Sequence, residues 1–313
     1  MKKLILFTAV LSLLILCAAA CGETDGYALE PNTEYKTDLY SYTVRTPSAV
    51  WYIARADIDL NGLDAMRDGL FSLLDDMEAD FRDARDALHL TDVPQVIILT
   101  DLAGHAEISK TASAYYTPRS GFIKVFHNWD KVRASLMHEY VHYLTFACVQ
   151  PVIRPGFWAE GVAEYVSRIL CRDRMARSVD MALTEEEILF YRGKGLADPE
   201  DGHIDAKKMY YADAELCRAG YMTGEEYYAV CNKVIERTEK IQQSPKPDEL
   251  TFWEAASMTA YLTETYGEDF IFAHWDSDPE KIGDLAGVSF PELYARWAEW
   301  NTARCLENGI VIE

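Results

Sequence analysis

The chain is organised around residues 136–144, which read Leu136-Met137-His138-Glu139-Tyr140-Val141-His142-Tyr143-Leu144. Two histidines four positions apart project from the same side of a helix, because an α-helix turns once every 3.6 residues. That side offers two imidazole nitrogens to one tetrahedral Zn²⁺ ion. Glu139 lies between them, where it can reach a water molecule on the metal. This is the HExxH pattern, in which the glutamate acts as general base, but so short a string also arises by chance.

A second segment supplies a third ligand, and it reads Pro155-Gly156-Phe157-Trp158-Ala159-Glu160-Gly161-Val162-Ala163-Glu164-Tyr165-Val166. Two histidines with one glutamate are a known ligand set for catalytic zinc. Glu160 follows His142 after 17 residues, which is enough to end one helix, turn, and begin a second helix packed against the first. The competing metzincin pattern requires Gly at 145 and His at 148, whereas this chain has Thr145 and Cys148.

Together, HEYVH at 138–142 and FWAEGVAEYV at 157–166 resemble the gluzincin metallopeptidases, the group that includes thermolysin and the membrane alanyl aminopeptidases. The resemblance is in particular to the peptidase MA-like bacterial proteins, whose second motif reads W-x-x-E-G-x-A-x-Y. It implies an α+β fold with a zincin-like catalytic domain, made of a small mixed sheet and active-site helices. It also implies that His138, His142 and Glu160 are the zinc ligands and that Glu139 is the catalytic base.

The resemblance gives Glu164, one turn beyond Glu160, a supporting role. In the family an acidic residue at this position orients a ligating histidine, because such an imidazole usually donates its other N–H to a carboxylate. A carboxylate on a solvated helix face is the alternative interpretation. The expected reaction is hydrolysis of a peptide bond by a water molecule that zinc activates. Glu139 takes the proton of that water and passes it to the leaving amine.

One position departs from the family pattern. In the family, a helix that ends in a pattern like the Tyr-Leu…Tyr-Gly of residues 261–267 begins with a tyrosine that stabilises the oxyanion; here that position is Phe252. A phenyl ring has no O–H donor, and losing one oxyanion donor lowers a rate by on the order of 10²–10³. Either activity is weak or another tyrosine substitutes, with candidates at Tyr210, Tyr211, Tyr227 and Tyr228. The alternative function is therefore a catalytically weak or inactive peptidase-like binding lipoprotein that retains the zinc site.

Residues 1–21 have the pattern of a bacterial lipoprotein signal peptide with its lipobox. Lys2 and Lys3 precede an apolar run, and three alanines lie directly before Cys21. Lipidation of Cys21 would anchor the mature chain to the membrane, in the bacterial cell envelope and facing outside the cytoplasm. An ordinary cleaved signal peptide and an uncleaved anchor helix are the alternatives, although residues 4–20 are at the short end for spanning a bilayer.

Composition and charge fit a globular exported protein. Hydrophobic residues make up 49% of the 313 residues, which is enough for a sizeable core. The net charge of −21 becomes −23 when Lys2 and Lys3 leave with the signal peptide. This charge disfavours nucleic acid and anionic lipid as partners, and a peptide or protein substrate is expected instead. The five cysteines after Cys21 form no C-x-x-C pair, so buried thiols are expected. Up to two disulfides are the alternative in an oxidising setting.

The rest of the sequence divides into three parts. Residues 22–45 are polar without periodicity, which predicts a flexible tether. Residues 46–173 form the zincin-like part, with strands expected at 49–56, 93–100 and 121–127 and helices at 60–90, 130–147 and 157–171. Residues 174–313 form a mostly helical C-terminal part, with helices expected at 184–192, 206–218, 224–240, 252–266, 268–274 and 290–304.

The strand expected at 121–127 comes just before the first site helix. The gluzincin resemblance implies that an edge strand borders the cleft and pairs with extended substrate, and this strand is the candidate. Residues 101–120 are then expected to be a loop. Such pairing uses backbone groups and makes little demand on substrate side chains. An interior position in the sheet is the alternative.

Overall fold

A computed structural model places most of the chain between residues 26 and 311. The described residues are 26–104, 114–126, 129–149, 156–170, 183, 185–200, 202–205, 208–209, 211–212, 214–215, 250–270 and 279–311. Within them the predicted α+β class is confirmed. The predicted signal peptide and Cys21 lie outside the described residues.

Six strands form one mixed sheet in this part of the chain. Their bounds are Glu30–Pro31 (β1), Tyr40–Arg45 (β2), Ala49–Ala54 (β3), Val96–Thr100 (β4), Ala114–Thr117 (β5) and Phe122–Val125 (β6). They lie in the order β1-β2-β3-β4-β6-β5. β3, β4 and β6 run parallel to one another, while β2 and β5 flank them antiparallel. The buried strands β3 and β4 are rich in β-branched residues, which suit a pleated, covered surface.

The flexible tether predicted for residues 22–45 is wrong from about residue 27 onward, where Tyr27 packs edge-on against Phe71; residues 22–25 lie outside the described residues. β1 and β2 pair with each other, and β2 pairs with β3 along its length. Tyr40 and Val44 are buried, so β2 contributes to the packed body. This segment is polar because β1 and β2 lie at one end of the sheet, where many of their side chains are exposed to solvent or only half-buried.

The edge-strand prediction is also wrong. A strand exists within 121–127, but β6 lies between β4 and β5 in the sheet interior. Within the described sheet the outermost strand on this side is β5, which lies inside the segment 101–120 that the sequence predicts to be a loop. β5 and β6 are joined by a tight turn in which the N–H of Gly121 donates to the carbonyl of Thr117 at 2.8 Å. Gly121 has a φ of 68°, a conformation that glycine adopts without strain.

Two helices, Arg55–Asn61 (α1) and Leu63–Ala87 (α2), connect β3 with β4. The sequence predicted one helix over 60–90, and Gly62 divides the two because its φ of 85° interrupts the helical path. α2 buries one side at every third or fourth position: Met66, Leu70, Leu74, Met77, Phe81 and Ala84. These side chains belong to the same core as Trp51 and Ile98 of the sheet, so α2 packs on the sheet through its apolar stripe.

Two further helices come next, and each runs on into a π-helical turn. Helix α3 spans Trp129–Tyr143 and continues as a π turn over Leu144–Val149, while α4 spans Gly156–Glu164 and continues as a π turn over Tyr165–Leu170. The sequence predicted single helices at 130–147 and 157–171. π-helical turns are rare and are frequently found at functional sites.

The described C-terminal part is helical. Its helices are Glu185–Gly193 (α5), Leu250–Tyr266 (α6), Pro279–Leu285 (α7) and Phe290–Glu307 (α8). α6 packs against both α4 and α8, and one buried core runs from the sheet to Trp297 on α8. Cys305 is buried, and its thiol donates to the carbonyl of Tyr211 at 3.3 Å. The helix predicted at 224–240 lies outside the described residues.

Of the helices described, none is both long enough and apolar enough to span a bilayer.

A buried hydrogen-bond network fixes α8 on α6. Trp297 donates its indole N–H to Ser257 at 3.1 Å, and the Ser257 hydroxyl donates to Oδ1 of Asn301 at 2.6 Å. The Asn301 amide in turn donates to Oε2 of Glu215 and to the carbonyl of Tyr211, both at 3.2 Å. A buried polar group is tolerated when it is paired in this way. The network therefore sets the position of α6, against which α4 is packed.

Candidate metal centre

Helix α3 presents its two histidines from a buried base. Its apolar side is almost fully enclosed by the core: Leu136, Met137, Tyr140 and Val141. The ring of Tyr140 stacks on Phe81 of α2 with centroids 4.0 Å apart. His138 and His142 project together because positions i and i+4 share one side of a helix, and their ring centroids are 4.6 Å apart.

An ion pair also holds α3 on α2. The guanidinium of Arg133 donates to both carboxylate oxygens of Asp80, at 2.8 and 3.1 Å, and to Asp76 at 2.7 Å. Asp80 is almost fully buried, and the Arg133 side chain is 19% exposed. The bidentate geometry fixes the rotation of α3 as well as its position.

Helix α4 approaches α6 too closely to leave room for a side chain at Gly161. A Cβ atom at this position would lie 2.8 Å from the carbonyl oxygen of Ala255 and 2.9 Å from Oγ1 of Thr259. The adjacent Val162 and Ala163 are buried. The glycine that follows Glu160 therefore sets how deeply α4 sits, and so where Glu160 is presented.

The three predicted ligand atoms form a nearly equilateral triangle. Nε2 of His138 lies 3.0 Å from Nε2 of His142 and 3.1 Å from Oε2 of Glu160, and the third side measures 3.2 Å. Ligands 2.0–2.1 Å from a tetrahedral zinc ion are roughly 3.3 Å apart. In the described part of the chain this is the one set of three or more such residues that can hold a metal ion.

Glu164 lies behind His138. Its Oε1 atom is 2.9 Å from Nδ1 of His138, and at 5% exposure it is not on a solvated helix face. A carboxylate at this distance keeps the ring proton on Nδ1, which makes Nε2 an acceptor. That acceptor then faces the carboxylate of Glu160, and two acceptors 3.1 Å apart need a proton or a cation between them. The donor set therefore fits a bound metal ion.

The same contacts shift the pKa values of His138 and Glu160. Burial lowers the pKa of His138, but the charge of Glu164 and hydrogen bonds to Glu160 and Glu164 outweigh it and hold the pKa well above its usual range. Burial raises the pKa of Glu160, yet hydrogen bonds from His138 and His142 and their charges bring it well below its usual range. Without metal, a proton on His138 thus occupies the place of the cation.

Glu139 is held by the edge strand of the sheet. The backbone N–H of Tyr116, on β5, donates to Oε2 of Glu139 at 2.6 Å. Burial raises the pKa of Glu139, although His138, His142 and this N–H each lower it. A carboxylate whose pKa is raised exchanges protons nearer neutral pH.

Sequence reasoning had not singled out Tyr116. The sequence feature that indicates a strand here is the aromatic and β-branched run Tyr115-Tyr116-Thr117 before the turn at residues 118–121.

Of the candidate oxyanion donors, the structure describes only Tyr211. Phe252 lies in the first turn of α6, but its side chain is outside the described residues, as are Tyr210, Tyr227 and Tyr228. Tyr211 is described, and its ring packs edge-on against Trp300 of α8 with centroids 5.6 Å apart. It therefore belongs to the core between the C-terminal helices.

The centre thus groups two imidazoles and a carboxylate, with Glu164 behind one imidazole and Glu139 beside the set. These contacts join α3, α4 and β5 around one point. Comparison of the chain with protein families, with curated proteins and with solved structures finds no match.

Proposed function

We propose that this chain is a zinc-dependent peptidase of the gluzincin type, with a zincin-like fold. The proposal is carried by the meeting of the His138, His142 and Glu160 ligand atoms within 3.2 Å of one another. Two imidazoles and one carboxylate suit zinc and are a known catalytic set. The presence of Glu139 favours a catalytic metal site and not a structural one, since a structural site is closed by its ligands and needs no further carboxylate.

The mechanism follows from the roles of these residues. A bound zinc ion would supply Lewis acidity, which acidifies water and polarises a peptide carbonyl. His138, His142 and Glu160 would hold the ion, while Glu164 keeps the His138 proton on the nitrogen that faces away from it. Glu139 accepts the proton of the attacking water and delivers it to the leaving amine nitrogen. The raised pKa of Glu139 suits both steps.

The substrate we propose is an extended segment of a peptide or protein. β5 is the outermost strand on its side of the described sheet, and Tyr116 brings it into contact with the base. A peptide added alongside β5 would pair with backbone groups of the strand other than the Tyr116 N–H, which Glu139 already occupies, so little side-chain selectivity is expected. The strongly negative chain argues against nucleic acid as a ligand.

We place the protein at the outer face of a bacterial membrane, anchored by a lipid on Cys21. The lipobox-like sequence before Cys21 supports this location. Tyr27 already packs edge-on against Phe71 of α2, so residues 22–26 separate the anchor from the folded body. An extended segment of that length reaches roughly 18 Å at most. The catalytic body would therefore act close to the membrane surface.

The test compares the wild type with Glu139→Gln. Zinc content is measured by mass spectrometry, and cleavage is measured on a mixed peptide library. We expect one zinc ion per chain in both proteins and a loss of at least about 10²-fold in cleavage rate for the variant. His138→Ala is the matched control and should lose both zinc and cleavage.

Two results would overturn the proposal. If the wild-type protein contains no zinc, the proposed zinc site is wrong. A zinc-loaded wild type that cleaves no peptide would instead favour the binding lipoprotein that the phenylalanine at position 252 suggests.

A further inference from the structure

We infer that the backbone N–H of Tyr116 is a positioning group for Glu139, so that the edge strand holds the base in place. The donor–acceptor distance is 2.6 Å, and a carboxylate acceptor is expected to shorten an N–H···O bond. The catalytic consequence depends on the proposed peptidase function, whereas the contact itself depends only on the arrangement of β5 and α3.

The hydrogen bond is not a by-product of sheet pairing. Tyr116 lies opposite Ile123 on β6, and Tyr115 lies opposite Lys124. In an antiparallel pair, residues that exchange hydrogen bonds alternate with residues that do not. Because Tyr116 gives its N–H to Glu139, Tyr115 is the residue that bonds across to β6. The sheet therefore fixes the direction of the Tyr116 N–H without using it.

The side chain of Tyr116 attaches the strand to the same helix a second time. Its ring packs edge-on against Tyr143, with centroids 6.0 Å apart, and against Phe146 at 6.3 Å. Tyr143 ends α3 and Phe146 lies in the π turn that follows. The hydroxyl of Tyr143 is itself fixed by donating to the carbonyl of Pro94 at 2.9 Å. These ring contacts set the register of β5 on α3, which aims the N–H at Glu139.

Such a bond has a defined chemical effect. It occupies one oxygen of Glu139 and leaves the other for the attacking water. It also prevents the carboxylate from turning to ligate the metal. Loss of a hydrogen bond to a charged group should therefore slow turnover by about 10- to 100-fold. Because Tyr116 contacts none of the three ligands through this bond, zinc content should not change.

The contact is tested first in the metal-free protein, without any measure of activity. The mature chain is labelled with [¹⁵N]tyrosine, and the Tyr116 amide signal is assigned by its absence in Tyr116→Phe. A strong bond to a carboxylate places this amide proton far downfield. Glu139→Gln should move it upfield, because a neutral acceptor is weaker. A signal that stays in place overturns the inference.

The consequence is tested by replacing Tyr116 with its α-hydroxy acid, which removes the N–H and keeps the side chain. The resulting ester also makes the carbonyl of Tyr115 a weaker acceptor, so a control for lost sheet hydrogen bonding is needed. We expect kcat on labelled casein to fall about 10- to 100-fold with KM and zinc content unchanged. The matched control carries the same replacement at Tyr115, where the loss of a sheet hydrogen bond should lower Tm and leave kcat within about twofold.

An unchanged kcat in the Tyr116 ester, or an equal loss in both esters, would contradict the positioning role. If the wild type cleaves neither casein nor the peptide library, the proposed function fails, and the amide signal still decides whether Tyr116 holds Glu139.

Discussion

Oε1 of Glu164 lies 2.9 Å from Nδ1 of His138, on the side of the imidazole opposite the nitrogen that faces Glu160. Helix α4 therefore supplies two carboxylates in different places: Glu160 faces the candidate metal position, and Glu164 lies behind His138. Their spacing of four residues places both on the same side of the helix. One helix thus places the candidate ligand Glu160 and, through Glu164, orients the imidazole of His138.

Replacing Glu164 should weaken metal binding. In Glu164→Ala the imidazole of His138 loses the partner that fixes its tautomer, and zinc affinity should fall about 10- to 100-fold. Competition titration against a chromogenic chelator measures the change. Glu164→Gln is the control, since its amide oxygen still accepts from Nδ1–H and most of the affinity should remain. Equal affinities in the wild type and Glu164→Ala would show that the contact does not orient the ligand.

A methyl group at Gly161 should displace α4. The added Cβ would meet the backbone carbonyl of Ala255 at 2.8 Å, and a backbone atom has little freedom to yield. We expect Gly161→Ala to destabilise the fold by about 1–3 kcal/mol and to lower zinc affinity, because Glu160 moves with the helix. Urea unfolding and chelator competition measure the two effects.

Gly193→Ala is the matched control for this change. Nothing lies within 4 Å of a Cβ added there, so neither stability nor zinc affinity should fall. A Gly161→Ala protein with wild-type values would mean that α4 and α6 can separate without strain.

The centre was predictable because its determinants are local. His138 and His142 are one helical turn apart, and so are Glu160 and Glu164, so the 3.6-residue period alone places each pair on one side of a helix. The link between the two pairs is not local. It depends on how α3 and α4 pack on each other and on the close crossing of α4 with α6 at Gly161, and the sequence indicates it only through the family resemblance of the two motifs.

The sheet was harder to predict for a different reason. β1 has two residues and β5 has four, and segments this short give too little alternation to identify a strand. Their pairing also depends on partners elsewhere in the chain, as β1 and β2 show within the predicted tether. The apolar alternation of β6 was visible, but alternation alone does not distinguish an interior strand from an edge strand.

Breaking the Arg133–Asp80 pair should destabilise the fold. Arg133→Met leaves the buried carboxylate of Asp80 without its bidentate partner, which costs about 3–5 kcal/mol in the free energy of unfolding. Urea denaturation measures this loss. The double variant Arg133→Met with Asp80→Leu should recover most of it, since an apolar pair of similar volume carries no uncompensated charge. A double variant as unstable as the single one would show that the pair acts through geometry and not charge.

Zinc uptake should release protons and should strengthen as the pH rises. Nearby carboxylates hold the pKa of His138 well above its usual value of 6.5 despite burial, so the metal-free site is protonated near neutral pH. Zinc requires the neutral imidazole, and its apparent affinity therefore rises with pH until the pH passes the raised pKa. Calorimetric titration at pH 7 in buffers of different ionisation enthalpy measures the protons released.

The metal-free protein should show the opposite trend in stability. A pKa raised by folding contributes stability that is fully present below pH 6.5 and is lost as the pH rises through the raised value. Urea unfolding with a chelator present, from pH 6 to pH 9, should therefore give a falling free energy of unfolding. Glu164→Gln removes the charge that raises this pKa most, so both pH trends should weaken together. If the stability trend persists in Glu164→Gln, another group is responsible for it.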